Sequence, residues 1–245
     1  MTKKKTIYYE ELVDPFSSGK KNFLIKAEHF MRYEFAKRFI NKSDVVYDIA
    51  CGNGFGTKIL SEKSNNVAGF DKNDHFLAYA KKRNNSADFY KADAENIYGF
   101  VKEKDLLLPD VIVCFETIEH LDDPEKFLKD AYKLIRDEGV IIASVPNGKL
   151  EPKAKGVSKN KFHKHIFYKK DIEKLFGDSG FKIEKWWGQP LSNYIVTHLR
   201  AIERKYLNKL LNKKFNFKLA SYIFAYPLRF LRHRSYSIIF IGKKN

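Results

Sequence analysis

Asp48-Ile49-Ala50-Cys51-Gly52-Asn53-Gly54-Phe55-Gly56 completes an apolar run that begins at Val45. The run VVYDIA (45–50) reads as a buried strand. Glycines crowded behind it let the chain bend sharply and approach a ligand closely. Strand, glycine turn and helix in that order open an α/β unit, and the rest of the chain repeats the alternation. NVAGFD (66–71), ADFYKAD (87–93), VIVCFE (111–116) and GVIIASV (139–145) are further expected strands. VIVCFE is apolar throughout, which suits a central position. Helices are expected near 57–62 and 75–83, and one opens at Asp123-Pro124. There an aspartate cap and a first-turn proline precede Phe127, Leu128, Ala131, Leu134 and Ile135 on one face.

Upstream, residues 28–40 place Met31, Phe35, Phe39 and Ala36, Ile40 at helical spacing. Downstream, 149–165 reads as a lysine-rich loop and 171–176 as a short helix. FKIEKWWG (181–188) and SIIFIGK (237–243) read as a hairpin-like edge pair. The expected architecture is one α/β domain, a Rossmann-like seven-stranded and mostly parallel sheet with helices on both faces. It carries an N-terminal helical cap (1–40) and a helical insertion (190–234). Ile195, Leu199, Ile202, Tyr206 and Leu210 are helix-spaced in that insertion. Residues 199–234 hold ten Lys or Arg (200, 204, 205, 209, 213, 214, 218, 229, 232 and 234) against Glu203 alone. Two readings stand: a basic lid or peripheral membrane contact, and a helical cap with a solvated face.

Hydrophobic content of 44% excludes a disordered chain. A net charge of +16 favours nucleic acid, phosphorylated small molecules or an anionic membrane, and equally fits lysine used as generic surface. Two cysteines, Cys51 and Cys114, make no disulfide framework and point to a reducing cytoplasm. The first residues lack the apolar core of a signal peptide, and the longest near-apolar stretch, 219–228, is too short to span a membrane.

The glycine spacing is G-x-G-x-G, whereas diphosphate-binding turns use G-x-G-x-x-G. Asp48 beside it would repel a diphosphate and suits a cationic ligand. Asp71 ends the second strand, where a carboxylate takes both ribose hydroxyls of an adenosine compound. Asp93-Ala94 ends the third, placed for an adenine amino group. Ligands of open α/β sheets bind at these strand ends.

DIACGNGFG, GFD and ADAEN resemble, in order and spacing, the cofactor motifs of class I S-adenosylmethionine-dependent methyltransferases. The resemblance covers about 28–187 and the final strand. It implies that Asp48 and Gly52-Asn53-Gly54 hold the methionine part, Asp71 the ribose, and Asp93 with Ala94 the adenine. Ala50, Lys72, Phe115 and Arg32 complete the expected cofactor set. AEHFMRYEFA, FETIEHLDDPEKFL, SVPN and KFHKHIF resemble a narrower group, the methyltransferases of surface-polysaccharide and sugar biosynthesis. In that group a polar helix closes over the cofactor, which implies rim positions for His29 and Arg32.

Methyl transfer to a hydroxyl needs alignment and a base. Glu116, Glu119 and His120 follow the fourth strand, and His163 and His165 lie in the next loop. The expected base is His120, whose ordinary pKa suits neutral pH, with His163 second and Glu119 beside them. The bland reading makes His120 a structural histidine and Glu116 a structural acceptor. His29 and His198 have no supporting constellation. The expected substrate is a small molecule or saccharide with a hydroxyl, with an anionic one an option, and no metal is required. In the main alternative, Glu116, Glu119, His120 and His163 or His165 bind a divalent ion. That set resembles the metal-dependent 2′-O-methyltransferases of small-RNA 3′ ends. Nucleic acid ranks lower because no RNA-reading motif accompanies it. A remote alternative is a non-catalytic cofactor-binding scaffold.

Overall fold

The computed structural model describes residues 13–15, 23–189, 217–229 and 235–244. After helix α1 (Phe23–Ala36) come strand β1 (Val45–Ile49), α2 (Phe55–Leu60), β2 (Asn66–Asp71), α3 (Asp74–Arg83) and β3 (Asp88–Lys91). Next are α4 (Ile97–Glu103), β4 (Val111–Phe115), α5 (Pro124–Leu134), β5 (Val140–Pro146) and the short hairpin β6 (Lys153–Ala154) and β7 (Val157–Ser158). The last are α6 (Lys169–Asp178), β8 (Phe181–Gly188), α7 (Phe217–Ala225) and β9 (Ser237–Lys244).

One seven-stranded sheet has the order β3-β2-β1-β4-β5-β9-β8. Neighbours pair parallel from β3 to β5, and β9 runs antiparallel to both β5 and β8. β1 and β4 are buried along their whole length because helices cover both faces. One core layer joins Phe70, Phe127, Phe176 and Phe240 under α4, α5 and α6. The other joins Phe35, Val46, Ile142 and Trp187 under α1, α2 and α7. The cap of α5 forms as its residue types require: Asp123 accepts from the Lys126 amide and Pro124 occupies the first turn. Phe127, Leu128, Ala131, Leu134 and Ile135 are all buried, and each large side chain contributes about 1.5–3 kcal/mol.

The structure differs from the expectation in four places. First, β9 is an interior strand, because Ser237–Ile241 is apolar or small on both faces and buries both; of the pair, β8 is the one at a sheet edge. Second, α1 begins at Phe23 and yields to a 3-10 turn at Lys37–Phe39, with Ile40 extended rather than helical. Third, the loop 149–165 folds part of itself into β6–β7 around Lys155 and Gly156, both at positive φ. Fourth, α4 was not expected: seven residues with Ile97 and Val101 inward are too short for a clear period.

The helix-spaced residues 195–210, and the basic residues of 199–234 other than Lys218 and Arg229, lie outside the described residues. The described part of that segment, α7, packs on α1. Phe217 meets Phe30 edge-on at 5.4 Å, and the Tyr222 hydroxyl donates to Glu34 Oε2 at 2.9 Å. Among the described residues no helix is long and apolar enough to cross a membrane. Cys51 and Cys114 are buried free thiols.

Candidate active site

A cleft of about 760 Å³ lies at the carboxyl ends of β1 to β4. Its floor on one side is the glycine turn. Ala50, Gly52 and Gly54 all have positive φ, at 58°, 56° and 71°, so the backbone there coils tightly. Gly54 also packs where a Cβ would sit 2.6 Å from the Ala80 Cβ. Asp71 clamps the turn: Oδ2 accepts from the Gly52 amide (2.9 Å) and Oδ1 from the Asn73 amide (2.8 Å). A carboxylate has about four acceptor sites, so two such bonds leave capacity toward the cleft. Burial raises the pKa of Asp71. Asp93 accepts from the Glu95 amide at 3.1 Å. Ala50, Gly52, Asp71, Lys72, Asp93 and Ala94 all line the cleft, and Phe115 does so from β4.

Three expected cofactor residues stand elsewhere. Asp48 is fully buried beneath the cleft, accepting from the Tyr33 hydroxyl (3.2 Å) and the Thr57 hydroxyl (2.6 Å). Burial pushes its carboxyl up to about 7. Side chains alternate along a strand, so the acid one residue before the end of β1 faces α1 and α2. Asn53 turns toward α3, donating to Asp14 Oδ2 (2.9 Å) and accepting from Arg83 Nη1 (3.3 Å). Gly54 faces α3 as well. Their work is to hold the turn.

Arg32 lines the cleft from α1 and is 2% exposed. Nε donates to Gln189 Oε1 (2.6 Å), Nη2 donates to Ser237 Oγ (2.7 Å) and lies 3.6 Å from Glu116 Oε2. Nη1 is buried with no hydrogen-bond partner among the described residues. His29 also lines the cleft.

Opposite the glycine turn, the 3-10 turn Ile118–His120 meets the loop after β5. The Lys164 and His165 amides both donate to the Glu119 carbonyl (2.8 and 3.1 Å), which pins the two segments together. His120 Nδ1 donates to the Phe162 carbonyl (2.9 Å). The His120 and His163 rings meet edge-to-face at 4.9 Å. His163 Nδ1 lies 2.5 Å from Glu151 Oε1. Glu119 is 1% exposed, and neither carboxylate oxygen has a hydrogen-bond partner among the described residues. Burial, and then the nearby Glu116, push its carboxyl well above the usual range. Ligand-type atoms of Glu119, His120 and His163 lie within 4.8 Å of one another.

Glu116 and His165 do not join this group. Glu116 sits at positive φ and turns toward β5 and β9, accepting from Ser144 Oγ (2.9 Å) and Ser237 Oγ (3.3 Å). The i, i+3, i+4 spacing assumes an α-turn, and the backbone here is not one. His165 Nε2 meets the Leu121 carbonyl (3.0 Å), and its ring stacks on Phe167. Glu151 and Tyr236 were missed. Glu151 lies in a lysine-rich loop that carries no local signal, and Tyr236 reaches the cleft only because β9 is interior.

Residues 47–143 match a family model described as a methyltransferase domain. A "Probable S-adenosylmethionine-dependent methyltransferase" of Mycolicibacterium smegmatis is 27% identical over 147 residues, 58% of this chain and 54% of that protein. A ubiquinone biosynthesis O-methyltransferase of Rickettsia bellii is 30% identical over 106 residues, 42% of each. The chain spans about half the length of the curated relatives it matches. The crystal structure of magnesium protoporphyrin IX methyltransferase from Synechocystis PCC 6803 with bound SAM superposes with a TM-score of 0.58 at 15% identity. That alignment covers 99% of this chain and 92% of the other. Sheet order, glycine turn and Asp71 clamp thus define a Rossmann-like methyltransferase fold. Over 47–143 the chain is similar to a methyltransferase domain, and the relatives it matches over about half their length include a protein named a probable S-adenosylmethionine-dependent methyltransferase.

Proposed function

We propose that the protein is an S-adenosylmethionine-dependent O-methyltransferase acting on a hydroxyl of a sugar, a polysaccharide precursor or a small phosphorylated substrate. The observation that carries this reading is the imidazole pair His120–His163, facing the same cleft as Asp71 and Asp93. The cleft fits the cofactor: its volume is within the usual range for small-molecule sites, and Asp71 keeps acceptor capacity for the ribose. Asp93 and Ala94 would meet the adenine. Arg32 Nη1, with no hydrogen-bond partner among the described residues, suits the carboxylate of the methionine end. When bound, the cofactor supplies an electrophilic methyl group. The chain's own part is to align the acceptor oxygen and remove its proton.

Lys72 and Lys161 at the cleft favour an acceptor with negative charge, whereas Lys164 pairs with Asp122 at 2.5 Å. The relative named as a ubiquinone biosynthesis O-methyltransferase supports oxygen as the methylated atom. The two unpaired thiols support a cytoplasmic setting. Peripheral membrane contact through 199–234 belongs to the same proposal.

A second reading is favoured by the gathering of Glu119, His120 and His163. These three would hold a divalent ion, with RNA 2′-hydroxyls as acceptors. A methyl-transfer screen with nucleotide sugars, phosphorylated sugars and short RNAs, in excess EDTA or with Mg²⁺ or Mn²⁺, separates the two. We expect transfer to a sugar hydroxyl in EDTA. RNA methylation that requires metal selects the second reading. Cofactor binding without transfer to any acceptor would leave only a scaffold.

A further inference from the structure

We infer that Glu151 is the positioning residue that makes His163, rather than His120, the proton acceptor for the methylated hydroxyl. This rests on the O-methyltransferase reading. Glu151 is buried, and its Oε1 receives both the His163 ring and the Ser158 hydroxyl. The β6–β7 hairpin returns the chain so that Ser158 faces Glu151. The His163 backbone is fixed too: its amide donates to the Asn160 carbonyl at 3.1 Å.

A carboxylate only accepts, so His163 Nδ1 carries the proton and Nε2 is left as the acceptor. The carboxylate also stabilises the imidazolium that forms when Nε2 takes a proton. His120 has the same tautomer, but the group behind its Nδ1 is a neutral carbonyl, and its Nε2 already lies 3.9 Å from Glu119 Oε1. A carbonyl orients the ring without compensating a full charge. The two imidazoles therefore differ in what stands behind Nδ1, a carboxylate at His163 and a carbonyl at His120.

In the step, the acceptor oxygen forms a bond to the methyl carbon as the carbon–sulfur bond breaks. Sulfur keeps the bonding pair, and the hydroxyl proton passes to Nε2 of His163. Nδ1 keeps its proton and its bond to Glu151.

The test uses the full chain with S-adenosylmethionine, and 4-nitrocatechol and a nucleotide sugar as hydroxyl probes, all in excess EDTA. Glu151→Gln should lower kcat about 100-fold, the scale of general-base catalysis. KM for S-adenosylmethionine should stay within about twofold, because Glu151 lies outside the cofactor half. Glu151→Asp should recover part of kcat. Nitrogen-15 histidine NMR, which needs no turnover, should show His163 of the native chain as the Nδ1–H tautomer. Glu151→Gln should mix its tautomers and leave His120 unchanged. Three results would overturn the inference: unchanged kcat in folded Glu151→Gln, an Nε2–H tautomer at His163, or turnover lost in EDTA and restored by Mn²⁺. Should Glu151→Gln fail to fold, Glu151→Asp and the native spectrum still decide. Cofactor binding by calorimetry with no transfer to either probe would instead overturn the O-methyltransferase reading itself.

Discussion

The two halves of the cleft are built differently. The proposed cofactor half is backbone: a turn of positive-φ residues clamped by one carboxylate, all within residues 48–94. The proposed acceptor half is side chain: Glu119 and His120 from one turn, Glu151 and His163 from a loop some thirty to forty residues on. A backbone site tolerates little change without unfolding. A side-chain site can lose a group and keep its fold. This contrast predicts where substitutions strike stability, affinity or turnover.

The largest effect is expected at Gly54→Val. A side chain there needs both a left-handed backbone and the space of Ala80. Together these cost roughly 3–5 kcal/mol, read as a fall in the thermal midpoint of about 10 °C. A midpoint equal to the native one would break the contrast at its root. Next, Asp71→Ala removes the clamp and the ribose acceptor together. Cofactor affinity by calorimetry should fall about 100-fold, the scale of two charge-assisted hydrogen bonds. Unchanged affinity would remove the ribose assignment.

On the other half, His120→Ala should lower turnover about tenfold while cofactor affinity stays within about twofold. A matching loss of affinity would mean that the halves are not separable. The most gradual effect, spread over several pH units, concerns the buried acid under the turn. The folded chain keeps Asp48 protonated up to about pH 7, whereas the unfolded chain releases that proton in the ordinary aspartate range. The folded state then binds more protons between those limits, so stability falls as pH rises through that window and levels off above it. The slope is at most about 1.4 kcal/mol per pH unit. Asp48→Asn should flatten it in thermal melts taken from pH 4 to 8, and an unaltered slope would clear Asp48.

What could be read in the chain follows the same division. Every strand of the main sheet was recognisable within a residue or two at each end, because burial on both faces leaves continuous apolar runs such as VIVCFE. The tight glycine turn and the strand-end places of Asp71 and Asp93 were legible because the backbone constraint sits in adjacent residues. Asp48 misled for a physical reason: spacing places an acid at a strand end without telling which face it takes. Glu116 misled because its positive φ turns the side chain away from a periodicity that assumed a helix. Glu151 could not be found at all, since nothing local marks a carboxylate whose partner is twelve residues away.

The position of β9 has a consequence for how the chain assembles. Residues 237–244 close the gap between β5 and β8, so both strands wait for a segment synthesised long after them. Until it arrives, a growing chain presents two unpaired apolar borders, the kind of surface that invites association with other chains. Maturation of this sheet therefore depends on its latest piece as on a keystone. Damage to that short piece should raise losses to aggregation during synthesis before it alters chemistry at the cleft.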